Sequence, residues 1–337
     1  MAPRPRKRAT EATAAQATNS FVDALRFIGN VTRDIGAPYE THCVLNNNTA
    51  TAFNGVLAAG IKIEDDIFAC PNNKMIVEAL SKCGEHLSIT QLDASRLSIK
   101  SDKFKAVVPC IDPTLLSITQ PDQAVAVIDD RLKKAFEVCG VIANEGAQTI
   151  YGSSVLMKSG SLVATDGSIM FEYWHGIDLP EIAIPKSLIQ PIVKCSKPLS
   201  KFGFSNSTAT FYFEDESWFR SQLFNDQWPD VSKILNIKSN PWPVPTDFFK
   251  ALDAVASFSQ DGQVYFDSGV LRSHVTDGVG ASYEVTGLPK GPIHSIKQLK
   301  MIKPYAEQID FFAEGPNSTM LMFFGNNIRG VIAGRSK

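Results

Sequence analysis

Leu162-Val163-Ala164-Thr165-Asp166-Gly167-Ser168-Ile169-Met170 reads as a β-hairpin: an apolar strand, an Asp-Gly turn and a second strand. Asp-Gly and Asn-Gly are the dipeptides that most readily take the positive φ angles of a type I′ turn. The same chemistry returns at Thr276-Asp277-Gly278, in RSHVTDGVGASYEV, and at Phe53-Asn54-Gly55, in ATAFNGVLAAGIKI. The steps from 54 to 166 and from 166 to 277 are 112 and 111 residues. A dipeptide can recur by chance, so a repeat needs a second register.

The helices supply it. Upstream of each turn lies an amphipathic pattern: SFVDALRFIGN from Ser20, DRLKKAFEVCG from Asp130 and DFFKALDAVAS from Asp247. Phe21, Leu25 and Ile28 align with Leu132, Phe136 and Cys139 at a constant offset of 111, and Gly29 aligns with Gly140. Ser20, Asp130 and Thr246 or Asp247 stand where an N-cap belongs. Downstream of each turn comes a second helix, in NNKMIVEALSKCG, PKSLIQPIVKCSK and HSIKQLKMIKPYA, and each copy closes in strands of alternating apolar residues. The order helix, hairpin, helix, meander thus occurs three times. It predicts an α+β fold of three tandem domains at 20–118, 119–238 and 239–337, with helices on one face of antiparallel sheets. The linkers fall in IDPTLLSITQPDQ and NIKSNPWPVP, rich in Pro and polar residues.

Bulk properties narrow the class. The chain has 337 residues, 44% hydrophobic and 20% charged, as in a soluble globular protein of two or three domains. No apolar run approaches the ~18 residues that span a bilayer, and MAPRPRKRATEATAAQATNS lacks the apolar core of a secretory signal. A cytoplasmic location without a membrane partner is expected. Cys43, Cys70, Cys83, Cys110, Cys139 and Cys195 lie far apart, so scattered core thiols are expected, with no metal, cofactor or disulfide framework.

The net charge of −2 conceals an asymmetry: residues 1–19 carry Arg4, Arg6, Lys7 and Arg8 against Glu11, a net of +3, which leaves −5 on the body. This Pro-, Ala- and Thr-rich basic tail is expected to be disordered. It is open to two readings, a contact with nucleic acid or a solvated tail.

Three copies in series suggest quasi-equivalent interfaces that close into a ring or arc, whose exposed helix faces decide the ligand. In the second copy Lys186, Gln190, Lys194 and Lys197 form one helix stripe opposite Leu188, Ile189, Ile192 and Val193, with Pro191 interrupting the helix. In the third, Lys297, Lys300 and Lys303 flank Ile296, Leu299 and Ile302, and neither helix contains a carboxylate. The first helix of the second copy adds Arg131, Lys133 and Lys134. Arg26, Lys74 and Lys82 are the first copy's candidates, diluted by Glu78 and Glu85. Lysines gathered on an acidic body suit phosphates approached without base readout. Solvated helix faces are the alternative.

These residues resemble the bacterial-type DNA polymerase III beta subunit family, the sliding clamps. The succession Ala164-Thr165-Asp166-Gly167, then Ile184-Pro185-Lys186, then RSQLFNDQWPDVSKIL with Trp228-Pro229-Asp230, resembles the family's middle domain, most closely over 130–235. The resemblance implies three clamp domains per chain and a head-to-tail homodimer whose ring encircles double-stranded DNA. Such a clamp has no active site of its own; a clamp loader opens it, and it tethers the DNA polymerase.

The resemblance also implies a partner-peptide groove between the second and third domains. Its lining would be Tyr151, Thr165, Gly167, Ser168, Ile169, Met170, Val331, Ile332 and Ala333. Two departures bear on it: Ser168-Ile169-Met170 stands where members often have His-Arg-Leu, and the chain ends Ala333-Gly334-Arg335-Ser336-Lys337 instead of in a Met-Pro-Met-Arg-Leu-like tail. Such divergence, with the compact length and the basic tail, fits a bacteriophage-encoded member acting in an infected bacterial cell.

An enzyme would need a constellation. His42, His86, His175, His274 and His294 show no ligand spacing, and no P-loop, Gly-x-Ser-x-Gly or Gly-x-Gly-x-x-Gly motif occurs. A cysteine hydrolase built on Cys139 is the enzymatic alternative. A clamp-like scaffold that binds proteins without encircling DNA is the other.

Overall fold

A computed structural model of the chain describes residues 11–84, 86–116, 120–274, 279–313, 315 and 318–335. The first repeat comprises α1 (Glu11–Gly29), α2 (Pro38–Thr41), β1 (Cys43–Asn46), β2 (Thr49–Phe53), β3 (Leu57–Lys62), α3 (Asn73–Leu80), β4 (Leu87–Asp93), β5 (Arg96–Ser101) and β6 (Phe104–Pro109). The second runs through β7 (Ala124–Val127), α4 (Asp130–Cys139), α5 (Ile150–Ser153), β8 (Ser154–Lys158), β9 (Ser161–Thr165), β10 (Ile169–Trp174), β11 (Ile182–Pro185), α6 (Lys186–Lys194), β12 (Leu199–Phe204), β13 (Thr208–Phe213) and β14 (Trp218–Gln222). After α7 (Ser232–Leu235) the third follows the same order: β15 (Trp242–Pro243), α8 (Phe248–Ala256), β16 (Gln263–Phe266), β17 (Val270–Arg272), β18 (Ser282–Glu284), β19 (Ile293–Ser295), α9 (Ile296–Ile302), β20 (Gln308–Asp310), β21 (Met320–Gly325) and β22 (Ile328–Ala333).

The Asx-Gly turns are built alike in two copies, but not as type I′ turns. Only the glycines are left-handed, Gly55 at φ 95° and Gly167 at φ 88°. The preceding side chain closes each turn. Asn54 Oδ1 accepts from the N–H groups of Val56 and Leu57 at 3.1 and 2.8 Å, and Asp166 Oδ1 from those of Ser168 and Ile169 at 2.8 and 2.9 Å. An Asx side chain thus does what a second left-handed residue does in type I′. Thr276-Asp277-Gly278 lies outside the described residues.

Two helix starts also differ from expectation. α1 opens at Glu11, inside the segment expected to be disordered, so Ser20 is not its cap. α4 is capped by Asp129, whose Oδ1 accepts from the Arg131 N–H at 2.9 Å. Asp130 instead holds the Leu199 N–H at 3.0 Å, a partner supplied by a strand far along the chain.

The described chain divides into two compact units: residues up to Lys133 with Ser187–Leu223, and Lys134–Lys186 with residues from Phe224 on. The cut passes through the middle repeat because strands of successive repeats share sheets. The first unit holds a seven-stranded sheet, β1-β2-β3-β14-β13-β12-β7, and a three-stranded sheet, β4-β5-β6. The second holds an eight-stranded sheet, β11-β8-β9-β10-β22-β21-β20-β15, and a four-stranded sheet, β18-β17-β16-β19.

At both shared sheets the third meander strand of one repeat pairs antiparallel with the last strand of the next, β3 with β14 and β10 with β22. Each junction needs a glycine. A Cβ on Gly60 would lie 2.4 Å from the Trp218 ring, and one on Gly330 would lie 2.3 Å from the Met170 carbonyl oxygen. The second junction also carries a buried charge cluster, in which Glu172 accepts from Arg329 at 2.7 Å and from the Ser161 hydroxyl at 3.0 Å and pairs with Lys158 at 3.4 Å. The corresponding strands without a partner are β6 and β18, both sheet edges.

Each sheet buries one face of a helix. Phe27 of α1 stacks on Phe219 at 4.4 Å and meets Phe213 edge-on at 5.7 Å, while Phe248 of α8 packs against Phe266 and Phe311. Burying an aromatic side chain of this kind contributes about 1.5–3 kcal/mol.

Candidate partner groove and cationic helices

Within the second unit, Tyr151, Thr165, Gly167, Ser168, Ile169, Met170, Val331 and Ala333 line one cavity of about 250 Å³, joined by Pro229, Asp230, Val231, Ile234 and Met320. Of the expected groove residues only Ile332 is absent from it. Ile332 is fully buried, because side chains alternate along β22 and those of Val331 and Ala333 take the cavity side in turn.

The wall is positioned by backbone pairing. Met170 lies opposite Val331 in the β10–β22 ladder, and the Ala333 N–H donates to the Ser168 carbonyl at 2.8 Å. Thr165 turns its hydroxyl inward, donating to the Ile169 carbonyl at 2.7 Å and accepting from the Gly167 N–H at 3.0 Å. Tyr151 stands over Gly167, with a ring carbon 3.8 Å from where a Cβ would sit.

The floor comes from a segment that the sequence offered as part of the middle-domain resemblance, through Trp228-Pro229-Asp230, and not as groove lining. Trp228, Val231 and Leu235 pack with Leu156, Val163 and Met170 into a small core. The Trp228 Nε1–H donates to Ser154 Oγ at 2.9 Å. The apolar spacing in Trp228-Pro229-Asp230-Val231-Ser232-Lys233-Ile234-Leu235 was the available signal. Met320 follows from its place opposite Ala333 in the β21–β22 ladder. Among the described residues Asp230 is the one charged side chain lining the cavity, and hydrogen bonds from Ser232 hold its carboxyl below the usual carboxylate range.

The cations expected to face DNA fall into three groups. Lys82, Lys194 and Lys297 are exposed and form no ion pair among the described residues. A second group is exposed but paired: Arg26 with Asp23 at 3.2 Å, Lys74 with Asp34 at 2.9 Å, Arg131 with Asp129 at 2.8 Å, Lys134 with Glu137 at 2.9 Å, and Lys300 and Lys303 with Asp253 at 3.3 and 2.6 Å. Lys197 is more enclosed, bonded to Asp215 at 2.6 Å with its ammonium 4.4 Å from the Phe27 ring centre. The absence of carboxylates within α9 therefore does not leave Lys300 and Lys303 unpaired, since Asp253 reaches both from α8, while Lys297 stays outside its reach. Exposed pairs of this kind contribute only about 0–1 kcal/mol and can exchange partners.

Lys133 and Lys186 form the third group. Lys133 donates to the carbonyls of Cys195 and Lys197 just past α6, and Lys186 donates to the Gly140 carbonyl just past α4. Both ammonium groups satisfy carbonyls left open at a helix C-terminus, where a cation is favoured.

Cys139 is wholly buried, with burial pushing its thiol up, and Cys43 shares that environment. A thiolate nucleophile is disfavoured at such a position. No helix among the described residues is long and apolar enough to cross a membrane.

Three α+β repeats joined by shared sheets, with an apolar groove in the second unit, constitute the fold of the DNA polymerase sliding clamps. The chain is similar to the sliding clamp of Caulobacter crescentus, with a TM-score of 0.79 at 15% identity over 95% of this chain and 98% of that one. It is similar to the DNA polymerase III subunit beta of Pseudomonas aeruginosa at a TM-score of 0.74 and 12% identity, again over 95% and 98% of the two chains. The Helicobacter pylori β clamp bound to a DNA ligase peptide gives 0.74 at 16% identity over 95% and 98%. No protein-family model and no curated protein sequence matches the chain.

Proposed function

We propose that this chain is a DNA sliding clamp, a processivity factor that carries no active site of its own. In this reading three domains, at 20–118, 119–238 and 239–337, form half of a head-to-tail homodimeric ring around duplex DNA. The observation that carries it is the recurring sheet junction. β3 pairs with β14 and β10 with β22, which leaves β18 and β6 as the same two kinds of strand without a partner. Pairing β18 of one copy with β6 of another repeats that junction between chains, and two such pairings close a ring.

The exposed cations, Lys82, Lys194 and Lys297 with the exchangeable Arg26, Lys74, Arg131, Lys134, Lys300 and Lys303, would face the phosphates. Lys133, Lys186 and Lys197 would support the helices that present them. The groove would receive a peptide of the DNA polymerase, of the clamp loader or of another replication protein, as the H. pylori clamp receives one from DNA ligase. The site of action would be the bacterial or phage-infected cytoplasm.

The pairing of so many cations with carboxylates favours a second reading, a clamp-like scaffold that does not encircle DNA. Loading on nicked circular DNA, followed by linearisation, separates the two. A ring stays on the circle and is lost from the free ends, whereas equal retention on both forms excludes topological binding.

A further inference from the structure

The cavity's lining is apolar apart from Asp230 and the hydroxyls of Tyr151, Thr165 and Ser168. Met170 and Met320 both line it, from the strands on either side of β22, with Val331 between those strands. Thioethers adapt to irregular shapes and make favourable contacts with aromatic ring edges. A cavity of about 150 Å³ accommodates a benzene ring, so about 250 Å³ has room for a phenyl group and a smaller aliphatic one.

Among the described residues no cation lines the space. Lys158, which acts on Asp230 at a distance, is already paired with Glu172, and Lys233 is solvent-exposed. Asp166, which is not part of the lining, has one oxygen filled by the Ser168 and Ile169 N–H groups and the Ser168 hydroxyl. Asp230 accepts hydrogen bonds from Ser232, is exposed, and forms no ion pair among the described residues.

From these features we infer that, among peptides whose apolar side chains fill the groove, it prefers those with a Lys or Arg beside them, whose cation pairs with Asp230, and discriminates against acidic ones. The inference rests on the groove being the partner-binding site. Ser168-Ile169-Met170 contributes to the selection, since apolar surface and a hydroxyl stand where a cation would have welcomed a carboxylate.

Two fluorescent twelve-residue peptides with the same apolar core of one aromatic and one aliphatic residue, one with lysine and one with glutamate beside it, are titrated with the full chain by anisotropy. The lysine peptide is expected to bind about two- to five-fold tighter, the range of an exposed ion pair. The difference should shrink with added salt and vanish in Asp230→Asn. Equal affinities in the parent chain, or a difference that survives Asp230→Asn, overturn the charge selection and leave the groove in place. Failure of both peptides to bind, or binding unchanged in Ala333→Trp, which fills the cavity, overturns the groove itself and the selection with it.

Discussion

His294 gives the fold a defined acid sensitivity. It lies on β19, wholly buried against Phe266 at 5.2 Å, and neither ring nitrogen has a hydrogen-bond partner among the described residues. Burial lowers its pKa from 6.5 to about 4. The unfolded chain therefore takes up this proton first, and stability falls as pH drops from 6.5 towards 4. Between pH 7 and pH 4.5 the loss from this one group is about 2.5 kcal/mol. His294→Leu keeps the bulk and removes both unsatisfied nitrogens, so it should be at least as stable at pH 7. Urea unfolding of both proteins at pH 7, 5.5 and 4.5 isolates the effect, because the carboxylates titrate alike in each. The parent should lose about 2.5 kcal/mol more than the variant; parallel pH dependences would refute a buried neutral imidazole.

Glu172→Gln should destabilise the second unit by about 2–3 kcal/mol in urea, below the full cost of breaking a buried pair because Arg329 is 23% exposed; adding Arg329→Met should recover most of it. Lys133→Met and Lys186→Met should lower the thermal midpoint, each removing a cation from a helix end, and leave retention on circular DNA unchanged. Lys82→Glu, Lys194→Glu and Lys297→Glu together should do the reverse, weakening retention and flattening its salt dependence while the midpoint stays put.

The repeat was legible because local chemistry repeats: amphipathic helices, Asx-Gly turns and alternating strands sit at constant offsets. What the sequence concealed depends on distant partners. Asp129 and Asp130 are both competent caps, and only the Leu199 N–H, brought in by β12, decides which one caps α4. α9 is free of acids in its own sequence, yet Asp253 neutralises two of its lysines from another helix. The groove's strand walls were expected from the family resemblance alone, on the residues after Ala164-Thr165-Asp166-Gly167 and in the last strand. Its floor was not, because Trp228-Pro229-Asp230 stood only as a motif of the middle domain, and the apolar spacing of Val231, Ile234 and Leu235 that carries the packing was not followed past it. Strand alternation alone would have set Ile332 apart from Val331 and Ala333.

The central claim is that the open edges β6 and β18 meet between two copies, and the solution mass tests it most directly. Light scattering should give twice the 36.8 kDa chain mass. Val107→Pro, which places a residue without an N–H at an exposed position on β6, should give the single chain mass with an unchanged circular dichroism spectrum. A parent chain that is monomeric or trimeric, or a dimer indifferent to Val107→Pro, would contradict the account.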